Sequence, residues 1–99
     1  MAEHPLNVFM EHDPELMELI KQIQELEMSD GALPKKTKLL IALALDAAHG
    51  AVGGVNALAK QALAVGATKA EILEAVRVAH YVCGVGSVYV SAHGLKDVL

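Results

Sequence analysis

The residues of this chain whose types and spacing could do chemistry are Asp46, His49, His80, Cys83 and His93. His80 and Cys83 stand three residues apart, one turn on a helix. A histidine there can draw off the thiol proton to make a nucleophile, and both side chains can bind a metal. The same spacing also suits a small buried hydrophobe beside a hydrogen-bonded histidine, with no function attached. Asp46 and His49 repeat the interval. The carboxylate could orient the imidazole as a general base, or His49 could simply close a helix whose C-terminal end favours a cation. His93 follows Tyr89 by four residues, a packed pair if that segment is helical. His49, His80, Cys83 and His93 would together make a donor set suited to zinc, although their spacing matches no short metal motif. His4 and His12 lie among polar neighbours and read as solvated.

Helices must position these groups. Asp13-Pro14 opens a helix over 14–28, with Leu16, Leu19, Ile20, Ile23 and Leu26 at helical spacing and glutamates opposite. Residues 1–12 read as an irregular lead-in. Pro34 opens a second helix to about His49, stopped by Gly50. Between Leu39 and Ala48 its only charge is Asp46, so it should be buried all round, as a central or interface helix. Residues 51–54 form a small-residue joint, and a third helix over 55–65 stops at Gly66. Thr68 and Glu71 make a capping box for a fourth helix that runs to Cys83. On it Ile72, Val76, Ala79, His80 and Cys83 fall on one stripe, which predicts that the last two face inward. Gly84-Val85-Gly86 breaks this helix. Val88, Tyr89 and Val90 favour strand, but the segment continues a helical array and is expected to be a fifth helix. The fold class is therefore all-α, one domain over residues 1–99.

Composition narrows the function. The chain is 54% hydrophobic, with one Phe, two Tyr and no Trp, so its apolar mass is aliphatic. A 99-residue domain that apolar has surface left over, which points to a partner, and most simply to itself. Residues 1–30 carry eight acidic groups against Lys21, and residues 31–99 carry seven basic and four acidic groups. No basic patch exists for nucleic acid. One cysteine excludes an internal disulfide and any CxxC site, and suggests a reducing, cytoplasmic setting. No basic segment followed by an apolar run opens the chain, so no secretory leader is expected. The uncharged run 78–95 reads as two buried segments broken by glycines, not a membrane span. Gly50, Gly53 and Gly54 lack the context of a phosphate loop, and no cofactor motif is present.

Two stretches resemble the carboxymuconolactone decarboxylase and alkylhydroperoxidase-D family. They are Asp30-Gly31-Ala32-Leu33-Pro34-Lys35-Lys36-Thr37-Lys38-Leu39-Leu40-Ile41-Ala42-Leu43-Ala44 and Ala62-Leu63-Ala64-Val65-Gly66-Ala67-Thr68-Lys69-Ala70-Glu71-Ile72-Leu73-Glu74-Ala75. The segments 5–9, 13–16 and 84–89 are also similar to its short members. The resemblance implies a compact alkylhydroperoxidase-D-like helical array, assembled as a trimer or hexamer. In the family's peroxidase branch a CxxC dithiol reduces peroxide, while a Glu one helix earlier and a following His move protons. Laid on this chain, the cysteines fall at Ala51 and Gly54, the His at Leu58 and the Glu at Leu39. The decarboxylase branch lacks the cysteines but tends to keep the Glu and the His. No family activity can be carried onto these apolar positions.

Two functions follow as expectations. One is a homo-oligomer that binds a small ligand or partner in a vestigial pocket. The other is an enzyme using Asp46, His49, His80 or Cys83 on a small organic acid, lactone or peroxide. Either site is expected where the 51–54 joint meets the second and fourth helices, near His49, His80 and Cys83. Free N–H groups at that helix start would favour an anion or a carbonyl oxygen.

Overall fold

The computed structural model describes residues 4–99, which form six helices and no strand. They are α1 (Asn7–His12), α2 (Pro14–Met28), α3 (Lys35–Ala48), α4 (Val52–Ala64), α5 (Lys69–Cys83) and α6 (Gly86–Leu95). Within the lead-in expected to be irregular, α1 is the exception. It buries no residue, so it carries no apolar rhythm to read. Asp13 serves both α1 and α2. As the residue before a proline it leaves helical space, at φ −145° and ψ 68°. Its N–H donates to the Phe9 carbonyl at 2.8 Å and its carboxylate accepts the Leu16 N–H at 3.1 Å.

The core lies among α3, α4, α5 and α6 and is built of small side chains. Leu43, Ala47, Val55, Ala59, Ile72, Val76, Ala79 and Leu95 form its main cluster. Leu39, Ala62 and Ala67 form a second one beside it. Alanines bring helix axes close, and Gly94 lets α6 cross α4 closer still. A Cβ there would meet the Val55 side chain at 2.8 Å and the Val52 carbonyl oxygen at 3.0 Å. The Asn56 amide fixes that crossing, donating to the Gly94 carbonyl at 3.0 Å and the Asp97 carboxylate at 2.7 Å.

The capping box opens α5 as expected. The Thr68 hydroxyl accepts the Glu71 N–H at 3.1 Å, and the Glu71 carboxylate accepts the Thr68 N–H at 2.9 Å. Lys36 of α3 joins it at 3.0 Å. Gly50, Gly66 and Gly84 end α3, α4 and α5 with φ of 79°, 100° and 86°, a backbone open to glycine.

Two expectations change. α4 begins at Val52, so the small-residue joint is mostly its first turn. α3 buries Leu39, Leu43 and Ala47 but leaves Ile41 46% and Leu45 56% exposed, so within one chain only one of its faces is covered. No residue of α2 is fully buried, and only Met17, Ile20 and Met28 are half-buried. Among the described residues no helix is long and apolar enough to cross a membrane.

Candidate functional site

A cavity of about 650 Å³ opens between α2, α3 and α4. Its floor is apolar, made by Met28, Leu39, Ala42 and Leu58. Gln24, Ser29 and Gln61 line it too, and Lys21, Glu25, Glu27 and Lys35 bring both signs of charge to it. Its α2 wall is held by α3 from below. The Lys38 ammonium donates to the Glu27 and Ser29 carbonyls at 3.0 and 2.8 Å, and the Lys35 N–H donates to the Asp30 carboxylate at 2.7 Å. A cation suits the carbonyl-rich end of α2, and Lys38 supplies it from the first turn of α3.

The residues singled out from sequence lie elsewhere. His49 closes α3, exposed, with its N–H on the Leu45 carbonyl at 3.0 Å. Asp46 is half-buried, and its carboxylate packs against Gly54 in the space a Cβ at that position would take. His80 is exposed and lines a cleft of about 360 Å³ with Leu73, Val76, Arg77 and Val88. Cys83 is an exposed free thiol, and His93 is exposed in the last turn of α6.

The inward stripe is thus corrected: Ile72, Val76 and Ala79 are buried, but His80 and Cys83 are not. His80 sits about 100° round the helix from Ala79, and Cys83 ends the helix where Gly84 turns the chain away. Nor do His49, His80, Cys83 and His93 assemble as a metal set. Among the described residues no group of three or more His, Cys, Asp or Glu side chains could hold an ion.

The positions carried over from the family resemblance fare differently. Leu39 and Leu58 meet in the one cavity, whereas Ala51 and Gly54 lie up-helix of it and do not line it. Positions 51, 54, 58 and 61 share one face of α4 by their spacing, and the cavity takes the C-terminal half of that face. Lys21 and Gln24 were not singled out by the sequence. The weak signal was that Lys21 is the lone base among residues 1–30.

Comparison with known proteins supplies the kinship. Residues 14–96 match the carboxymuconolactone decarboxylase family. The chain belongs to that family. A similar solved structure is that of the apo form of a carboxymuconolactone decarboxylase family protein from Legionella pneumophila. It is 35% identical, with a TM-score of 0.86 over 92% of this chain and 81% of that one. Among curated proteins no sequence matches. Membership of the carboxymuconolactone decarboxylase family agrees with the all-helical array and gives the Leu39–Leu58 cavity its interest. Those are the positions to which the resemblance assigns the proton-moving Glu and His.

Proposed function

We propose that this chain is a carboxymuconolactone decarboxylase family protein that has given up the family's dithiol chemistry. It works as a homotrimer or homohexamer and binds a small, largely apolar molecule between α2, α3 and α4. The observation that carries this is the shared floor of Leu39 and Leu58 in a cavity of about 650 Å³. That volume suits small-molecule sites, which run from about 300 to 1,000 Å³ and are mostly apolar with a few polar groups. General acid–base catalysis needs a proton donor or acceptor within about 3 Å of the reacting group. Aliphatic side chains at 39 and 58 supply none, so the floor is suited to holding a molecule and has no counterpart of the family's proton-moving pair. The charged rim gives such a molecule's polar end a choice of partners. At the start of α4 the Asp46 carboxylate already lies against Gly54, so an anion gains little there.

The probe 1-anilinonaphthalene-8-sulfonate tests the cavity. Its fluorescence should rise on binding the wild-type protein, and Ala42→Phe, which fills the floor, should abolish most of that rise with helicity unchanged. An equal rise with Ala42→Phe would contradict the cavity as the site.

A further inference from the structure

We infer that the cleft between α5 and α6 is a second binding site, one that takes a small aliphatic carboxylate. It shares no lining residue with the cavity between α2, α3 and α4, and it goes beyond the proposed function.

α5 sorts its charged side chains to two sides. Toward α3, Glu71 and Glu74 line a groove of about 310 Å³, and Glu71 is paired there with Lys36 at 3.0 Å. Toward α6, Arg77 and His80 line the cleft of about 360 Å³, and among the described residues no carboxylate lines it with them. Spacing makes this face. Leu73, Val76, Arg77 and His80 stand at i, i+3, i+4 and i+7, one side of a helix. Buried Val76, with exposed Leu73 and Val88, gives the cleft its aliphatic lining.

Arg77 fixes the chemistry of the ligand. A guanidinium carries five N–H donors and keeps its charge at any ordinary pH. Among the described residues the ion pairs are Lys36–Glu71 and Lys60–Asp97, and Arg77 has none. Glu74, one turn earlier on α5, lines the opposite groove instead. A carboxylate meets the guanidinium fork with two parallel hydrogen bonds, and the His80 imidazole can donate another. One fork in a chain of net charge −4 suits a single negative charge and not a polyanion. Leu73, Val76 and Val88 then take an alkyl body, which gains by leaving water.

Methyl-resolved NMR with hexanoate, and with hexanamide as its uncharged counterpart, tests the site. Hexanoate should shift the methyl signals of Leu73, Val76 and Val88 saturably. Hexanamide should bind about tenfold more weakly or worse, and so should hexanoate to Arg77→Gln, the scale set by hydrogen bonds to charged groups. Arg77→Lys keeps the charge but loses the fork, so its affinity should fall between. Arg77 is exposed, so helicity should survive both changes. Equal affinity for the two probes, or an Arg77→Gln variant that binds hexanoate as well as wild type, would overturn the assignment. So would a cleft that stays silent while the Leu39 and Leu58 methyls shift, or one that shows no saturable shift at all.

Discussion

Asp46 packs its carboxylate where a side chain at position 54 would begin, so the aspartate and the glycine are coupled choices. Adding a methyl group at Gly54 must push the carboxylate aside. Gly54→Ala should therefore lower stability by about 1 kcal/mol, at the low end of overpacking costs. In an Asp46→Ala background the same change should be neutral or favourable, since alanine suits a helix better than glycine. Chemical denaturation of the four proteins of this cycle measures the coupling. Additive effects would show that the two positions do not meet. Cys83 calls for a different measurement. One thiol cannot close an internal disulfide, so hydrogen peroxide should be consumed only at background rate with lipoyl or thioredoxin-type reductants. Brisk turnover that survives Cys83→Ser would contradict a non-redox protein.

At the scale of elements, α3 and α5 are tied by one carboxylate. Glu71 accepts the Thr68 N–H and pairs with Lys36, and these contacts, the backbone bond first, hold its pKa below the usual 4.5. A depressed carboxylate adds stability that is present above the ordinary value and lost as pH falls through the folded one. The gap in thermal midpoint between wild type and Glu71→Gln should be full at neutral pH and close as the pH drops below 4.5. A gap that persists in acid would mean that the charge is not what matters. Helix ends of this kind were legible in the sequence. Pro14, the Thr68–Glu71 box and the stops at Gly50, Gly66 and Gly84 each act through local backbone chemistry that residue type declares. The α1 helix was not legible, because its bonds are local and its faces bury nothing. The orientation of His80 was missed because a stripe drawn too wide ignores 100° per residue, and the exposure of Cys83, which is in phase with Val76 and Ala79, was missed because the helix ends there. The cavity was half legible: resemblance marked Leu39 and Leu58, but the α2 wall depends on how that helix turns, and it turns in a mixed face, with Lys21 and Gln24 beside half-buried Met17, Ile20 and Met28.

At the scale of the whole molecule, the aliphatic excess visible in the composition is spent unevenly. The α3–α6 core takes small side chains, while α2, the outer sides of α3 and α5 and the α5–α6 corner stay apolar and open, with Tyr81 89% exposed. Apolar surface on that scale points to assembly, and α2 is both a wall of the cavity and, like α1, a helix with no fully buried residue. The proposed function turns, however, on a small molecule reaching the Leu39–Leu58 floor. Methyl-resolved NMR during titration with 1-anilinonaphthalene-8-sulfonate tests it most directly. The methyl signals of Leu39, Ala42 and Leu58 should shift together and saturably. Shifts confined to surface methyls such as those of Ile41, Val78 and Val82, with the floor silent, would contradict it.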